Sequence, residues 1–573
     1  MGDKQLIVRT IPDSSLLGKQ DLDPVFWRVM AARGVNSETE TQYPLGNMLS
    51  IDKIRHLQIA ADLLAEHVID NNSVLIFGDY DADGATSTAL CVRALRLLGH
   101  ENVSYLMPDR FIDGYGLSPS AAKRIASQAP NCLITVDNGI ASFDGVDLLR
   151  VQDIDVIITD HHLPASELPN ASVIVNQNAW DEEKQGKNLA GVGVAFYLML
   201  ALRRTLRARG WFNDARPEPN LANCLDFVAI GTLADLVPLD YNNRILVNEG
   251  LQRIRAGYCC QGVKALIELS KKIPASLTST DIGFSIAPKI NAAGRLDDMT
   301  VGVQCLLADN QESAFLFANK LNEINVLRKK VQQKMTIEAE QQFDALGYQR
   351  MQSKHAIVLY QADWHEGIVG IVAARIREKY HRPGIVFAKS EDGYLKGSGR
   401  SVPGIHLRDM LDTVDKRYPG LILKFGGHAM AAGLSLEQSG LEQFSEAFIQ
   451  VISDSVDPDI FAETIEYDGS LDNQHFNLDF ARALQNLSPW GQRFPVPSFV
   501  GEFDVINQRV LTDRHLKLVL SSSQSGNSLD AIAFFQPESA LNTSYNKIKI
   551  HYELNLNQFR GIESLQLLIR DIL

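Results

Sequence analysis

Between Ser73 and about Thr159, short β-branched runs alternate with helical patterns: SVLIF, TSTALCVRALRLLG, CLITV and DVIIT. Parallel strands cannot be joined by a tight turn and need a crossover, so this alternation predicts an α/β domain built on a parallel sheet. In such open sheets ligands bind in the crevice outside the carboxyl ends of the strands. The residues that follow each run therefore carry the functional signal, and they are acidic. VLIFGDYDADG supplies Asp79, Asp81 and Asp83, CLITV runs into Asp137 of VDNG, and DVIIT runs into Asp160-His161-His162.

Asp81 and Asp83 lie two apart, so in an extended segment both face the same way. A solvated turn explains an Asp-Gly pair, and a helix N-cap explains any one Asp. Neither explains two adjacent histidines, or acids at the ends of three strands of one sheet. Carboxylates packed together repel unless cations neutralise them. Several carboxylates with one or two imidazoles suit two octahedral divalent ions, the arrangement that clamps the attacking and leaving oxygens in phosphoester hydrolysis. An imidazole among oxygens tilts the preference from Mg²⁺ toward Mn²⁺ without excluding either, and zinc is disfavoured because no cysteine accompanies the site.

The remaining sequence sets these residues in a larger frame. The chain has 573 residues, enough for roughly three or four domains. Gln311 to Leu346 contains no Gly or Pro, and Leu321, Ile324, Leu327, Val331 and Met335 recur at helical spacing. A helix there would be about 54 Å long, better at joining two domains than at filling one. A second α/β pattern follows in HAIVLY, GIVGIVAARIREKY, PGIVFAKS and the Gly-rich LKFGGHAMAAGLSL. Segment 375–428 holds 11 Lys and Arg against six Asp and Glu, whereas the whole chain holds 55 against 69 and carries a net charge of −14. That balance argues against an unselective, all-over electrostatic grip on nucleic acid and leaves room for a local basic groove. After PVPSF, the runs FVGEFDVI, HLKLVL, LDAIAFF, KIKIHYELNL and ESLQLLI predict a small closed barrel of the OB type.

The six cysteines form no CxxC pair, which points to reduced thiols. The longest apolar stretch, Gly191 to Leu202, is too short to span a bilayer. MGDKQLIVRT has no signal-peptide core, so a cytoplasmic protein with no membrane segment is expected.

GDYDADG, VDNG, DHH, LDFVAIGTLADLVPLD, NAAGRL and GGHAMAAG, in that order, make most of the chain from about Pro24 onward resemble the DHH phosphoesterase superfamily. Within it, the resemblance is to the single-strand-specific 5′ to 3′ DNA exonucleases. It implies a parallel-sheet α/β DHH domain, joined by a long helix to a smaller α/β DHH-associated domain, plus a C-terminal OB-like β-barrel. The expected boundaries are 1–50 for an N-terminal segment, 51–265 for the DHH domain and 266–345 for connecting helices. The nucleic-acid-binding DHH-associated domain is expected at 346–455 and the OB-like domain at 465–573. By motif position the metal ligands would be Asp81, Asp83, Asp137, His161 and Asp226, holding two Mn²⁺ or Mg²⁺ ions, with His162 beside the scissile phosphate. Asp226 and Asp235 share the fourth motif and would lie on different turns of a helix. Asp226 is favoured as the ligand, and Asp235 is read as orienting or structural. Asp79 and Asp160 are read as carboxylates that orient their neighbours.

The same resemblance implies DNA contacts from Gly426, Gly427 and His428 of GGHAMAAG, Arg295 of NAAGRL, and Ser398 and Arg400 of GSGRS. Arg110 and Tyr115 of PDRFIDGYG would lie near the 5′ end of the strand. Each has an ordinary alternative: a tight turn for the glycines, a solvated surface for the arginines, core packing for Tyr115. Trp364 and His365 of WHEGIVG also match, with a core role open for Trp364. SPWGQRFPVP departs from the pattern, having Arg493-Phe494 where Gly-Asn is expected. The implied activity is metal-dependent 5′ to 3′ hydrolysis of single-stranded DNA to 5′ mononucleotides in recombination and repair. Single-strand DNA-binding protein and a helicase are the implied partners, and a monomer is expected. The alternatives are a DHH phosphodiesterase for short oligonucleotides or cyclic dinucleotides, and a catalytically inactive replication scaffold.

Overall fold

In the computed structural model of the protein, which describes residues 4–12, 22–110, 112–345, 355–390, 392–512, 514–521, 528–559 and 561–573, the expected parallel sheet forms. Its strand order is Val103–Leu106, Val74–Phe77, Cys132–Val136, Asp155–Thr159 and Val173–Val175, every neighbouring pair parallel. After Val74–Phe77 the chain first goes to one side of that strand and then to the other. The order therefore reverses between Val74–Phe77 and Cys132–Val136, where a ligand crevice opens in such folds. The register pairs Phe77 with Thr135 and Thr135 with Ile158, so the carboxyl ends of three strands stop level with one another. VLIF and CLITV are buried along their whole length, as a sheet covered on both faces requires.

The chain forms two compact units, residues 8–322 with 466–573, and residues 1–7 with 323–465. The expected long helix runs from Gln311 to Ala345 and passes from one unit into the other. Its expected last residue, Leu346, lies outside the described residues, as do 347–354 at the start of the expected second domain, and 1–3 and 13–21 of the N-terminal segment.

Residues 323–465 carry a five-stranded mixed sheet in the order Lys424–Gly427, Ala431–Leu436, Leu395–Arg400, Gly384–Lys389 and Ile357–Tyr360. The last two are parallel, with the helix Val369–Tyr380 as their crossover, and the other pairs are antiparallel.

The five C-terminal runs close into a barrel in the order Phe499–Leu511, His515–Ser521, Ser528–Ala533, Ile562–Ile572 and Lys547–Phe559. HLKLVLS alternates between half-buried and buried positions, the period-two signature of a strand with one face inward. The barrel is not a detachable module. Trp490, Phe494, Phe499, Phe503 and Tyr552 belong to the same apolar core as Leu233 and Leu239 of the parallel-sheet domain. Arg493 adopts φ +56, and the next residue, Phe494, lies buried at this seam. Phe494 stacks on Trp490 with ring centres 5.4 Å apart, and the Arg244 guanidinium lies 4.3 Å from its ring centre. The Leu239 N–H donates to Gln492 O at 2.9 Å alongside. The departure at Arg493-Phe494 is thus an anchor between barrel and sheet domain.

Truncating that anchor, Phe494→Ala, should lower the unfolding free energy by about 3–5 kcal/mol, the usual cost of emptying a buried aromatic site. Urea unfolding monitored by tryptophan fluorescence measures it. An unchanged midpoint would show that the seam contributes nothing to the common core.

Candidate metal centre

The first acidic turn follows Val74–Phe77. Asp81 caps the helix Ala82–Leu97, its Oδ1 accepting the N–H groups of Asp83 at 2.8 Å and Gly84 at 3.0 Å. The capping explanation therefore holds for Asp81 and occupies only one of its oxygens. Asp83 turns inward and accepts the N–H of Gly191 at 2.6 Å and of Val192 at 2.9 Å, at the start of the helix Gly191–Ala208. That helix has no acid in its own first turn, so Asp83 supplies the negative charge that unsatisfied N–H groups favour there. In the sequence, Gly191 onward reads only as an apolar run. Gly191 itself is required by close approach, since a Cβ there would stand 2.5 Å from the Asp137 Cβ.

Asp137 follows the strand Cys132–Val136 at φ +62, a left-handed conformation uncommon outside glycine. His161 Nε2 lies 3.0 Å from Asp137 Oδ1 and 3.5 Å from Asp235 Oδ2. Asp160 is occupied differently. Its Oδ1 accepts the backbone N–H of His161 at 2.7 Å and of His162 at 3.0 Å, and lies 2.8 Å from His162 Nδ1. Its Oδ2 accepts the Ile140 N–H at 2.9 Å. Asp160 therefore holds the histidine turn, as its orienting role anticipated. Three sets of candidate ligand atoms converge within 4.8 Å: Asp137, His161 and His162; Asp83, His161 and Asp235; Asp79, Asp81 and Asp137.

Asp226 is not among them, although the resemblance placed it in the ligand set. It opens the helix Leu225–Asp235 and Asp235 closes it, so about 13 Å of helix separates the two. The carboxylate of Asp226 accepts the N–H of Phe227 at 3.0 Å and of Cys260 at 2.9 Å, away from the cluster. Asp235, followed by a left-handed Leu236 that stops the helix, is the acid that reaches the crevice. The motif names both acids, and which one faces the sheet edge is set by how the helix packs.

Burial, followed by the charge of Asp81, pushes Asp79 up to about 8 and Asp83 up to about 7. Burial and the neighbouring carboxylates raise Asp137 and Asp235 well above the ordinary range. Asp79 Oδ1 is buried and has no hydrogen-bond partner among the described residues. Burial acts upward on Asp160 too, but the hydrogen bond and charge of His162 hold it below the usual value. For His162, burial acts downward and the bond to Asp160 outweighs it, raising the imidazole to about 9. A cluster of oxygen donors with imidazole, its carboxylates crowded too closely to stay ionised unaided, fits Mn²⁺ or Mg²⁺.

The residues expected to contact DNA fall into two groups, one beside the cluster and one on the second sheet. The Arg110 guanidinium lies 4.9 Å from the Tyr80 ring centre. Tyr115 is half exposed rather than core, with its hydroxyl 3.0 Å from His162 Nδ1. Arg295 sits in the last turn of the helix Ala287–Leu296, where a Cβ on Gly294 would meet Tyr80 O at 1.6 Å. On the second sheet, Gly426 pairs with Gly433 and Gly433 with Ser398, while Ala431 pairs with Arg400. Arg400 donates to Ser398 Oγ at 3.1 Å and Gly399 O at 2.8 Å. Gly427 has φ +142 and leads into His428, whose N–H donates to Ala431 O at 2.8 Å. The sheet register thus gathers Ser398, Arg400, Gly426, Gly427 and His428. Trp364 is buried and donates to Glu338 at 2.8 Å, the core role left open for it.

Comparison with known proteins agrees with this arrangement. The DHH family N-terminal domain matches residues 73–232, the DHHA1 domain residues 353–454, and the RecJ OB domain residues 467–571. The single-stranded-DNA-specific exonuclease RecJ of Salmonella typhimurium is 46% identical over 554 residues, covering 96% of both chains. That of Escherichia coli is 45% identical over 555 residues, again covering 96% of each. The crystal structure of RecJ in complex with Mn²⁺ from Thermus thermophilus superposes with a TM-score of 0.82 at 26% identity, covering 99% of this chain and 79% of that one.

The two acids of the Leu225–Asp235 helix can be separated by thermal melting with and without Mn²⁺. Asp235→Asn should abolish most of the Mn²⁺-induced rise in Tm. Asp226→Ala should keep that rise while losing about 1–3 kcal/mol of stability, because it strands two buried N–H donors. The reverse pattern would restore Asp226 to the ligand set.

Proposed function

Since this chain belongs to the RecJ family of single-stranded-DNA-specific exonucleases, we propose that it digests single-stranded DNA from the 5′ end to 5′ mononucleotides. The observation that carries the reading is the cluster of Asp79, Asp81, Asp83, Asp137 and Asp235 with His161 and His162 at the level ends of parallel strands. In this reading Asp81, Asp83, Asp137, His161 and Asp235 hold two Mn²⁺ or Mg²⁺ ions. Ions held by these residues would supply Lewis-acid chemistry, activating a water and offsetting the charge that develops on the phosphoryl and leaving 3′ oxygens.

The chain's own groups do the rest. Asp160 holds His162 through Nδ1, which leaves the other ring nitrogen to face a phosphate oxygen. Tyr115 offers a half-exposed ring beside it, and stacking of a base on such a ring contributes about 1–3 kcal/mol. Arg110 and Arg295 add positive charge near the same loop. Ser398, Arg400 and the glycine-lined strands ending at His428 suit a sugar-phosphate backbone, because glycine lets the chains approach closely. The barrel provides the kind of surface that tracks a strand over several nucleotides, which favours a polymeric substrate over a dinucleotide. Recruitment by single-strand DNA-binding protein and a helicase, work in recombination and repair in the cytoplasm, and a monomeric state complete the proposal.

Matched single-stranded and duplex oligonucleotides, labelled at either end and digested with and without Mn²⁺, test it. Label at the 5′ end of the single strand should appear at once as mononucleotide, and 3′ label only after full digestion. Duplex and chelator-treated samples should persist, as should single strand given Asp137→Ala. Early release of 3′ label, or rapid digestion of blunt duplex, would contradict the reading.

A further inference from the structure

Three of the turns that carry the cluster are each tied down by side-chain amides. Asn291, on the helix Ala287–Leu296, accepts the Ala82 N–H through Oδ1 at 2.7 Å and fixes the GDYDADG loop from outside. Asn138, buried next to Asp137, donates through Nδ2 to Val136 O at 2.9 Å and Phe77 O at 3.2 Å. It thereby joins the two strand ends that flank the crevice. Asn176 follows the last strand of the sheet and donates to His162 O at 2.8 Å. Asn178 donates to His161 O at 2.6 Å and to Lys187 O at 3.1 Å. The partners settle which end of each amide is which, since a carbonyl only accepts and an N–H only donates.

Asparagine commonly serves local turns, and Asn176 also does so by accepting the Asn178 N–H. Local turn chemistry does not account for the distribution: three separate turns, each bearing members of the cluster, each held by an amide. Charge explains the choice of residue. A carboxylate in these places would add repulsion to a cluster that already contains Asp79, Asp81, Asp83, Asp137 and Asp235. A Lys or Arg would install a fixed cation in competition with a divalent ion. An amide gives a directed hydrogen bond and no net charge.

We propose that Asn138, Asn176, Asn178 and Asn291 are positioning residues of the metal centre, neutral clamps that hold the Asp81–Asp83 loop, Asp137 and the His161-His162 turn at the spacing two divalent ions need. The proposal rests on the metal reading above. It makes metal affinity depend on side chains that touch no ion, as partners behind ligands commonly do.

Calorimetric titration of the chelator-stripped full chain with Mn²⁺, paired with melting of the metal-free protein, tests it. Asn291→Ala and Asn178→Asp should each weaken Mn²⁺ binding by about 10–100-fold, the usual range for such partners. Asn291→Asp keeps the acceptor for the Ala82 N–H and adds negative charge, so its Mn²⁺ affinity should not fall below that of the parent. Its metal-free form should melt lower than the parent, because a charge has been added to an unneutralised cluster. Should Asn291→Ala fail to fold, Asn176→Ala, which removes the bond to His162 O, carries the same expectation. Parent-like Mn²⁺ affinity in the folded Ala and Asn178→Asp variants would overturn the clamps, as would equal losses in Asn291→Ala and Asn291→Asp. A parent chain that binds no Mn²⁺ would overturn the metal reading itself.

Discussion

Repulsion among carboxylates held at one sheet edge is the constraint on which the rest of the site depends. Parallel register brings the ends of Val74–Phe77, Cys132–Val136 and Asp155–Thr159 level. Acids follow each of them, and Asp83, Asp160 and Asp137 are held in place by backbone N–H groups or a left-handed turn. The cluster cannot relax by swinging apart, because the strands behind it are buried on both faces. Burial and mutual charge drive Asp79, Asp83, Asp137 and Asp235 toward the neutral form. A rigid scaffold with unneutralised negative charge is a receptor for divalent cations, and the ions it accepts are the ones phosphoester hydrolysis uses.

The proposed reading extends that logic from the cluster to a polymeric substrate. The parallel-sheet domain and the barrel are one body of core, sealed by Phe494 between Trp490 and Arg244. The surface that would track the strand is therefore fixed to the same body as the cluster. The second unit contributes a glycine-rich sheet with Arg400 and Ser398 in register, within a locally basic stretch of an acidic chain. In the proposed reading, that local concentration of positive charge serves as a track for phosphates without a general affinity for polyanions.

Much of this was legible in the sequence because it depends on local patterns. Strand runs, helical periodicity and the acids that follow the runs report directly on the parallel sheet, the long helix and the barrel. What the sequence left open depends on tertiary direction. Asp226 and Asp235 sit on one helix in one motif, and only the packing of Leu225–Asp235 decides which end meets the crevice. Arg493-Phe494 reads as an irregular loop until Arg244, far away in sequence, is found beside the ring. Asp83 has the composition of a ligand, yet its bonds to Gly191 and Val192 join a turn to a helix start more than a hundred residues on. The strand Val173–Val175, three residues long, is too short for alternation to announce it, and the asparagines that follow it carry no motif.

In the proposed reading, the acids and histidines beyond the level strand ends, with Asp235 and without Asp226, hold two divalent ions. Anomalous diffraction from crystals grown with Mn²⁺ tests it most directly. Two manganese peaks are expected, one within coordination distance of Asp83, His161 and Asp235 and one beside Asp81 and Asp137, with no peak at Asp226. Manganese bound at Asp226, or a cluster that stays free of manganese at saturating concentration, would contradict it.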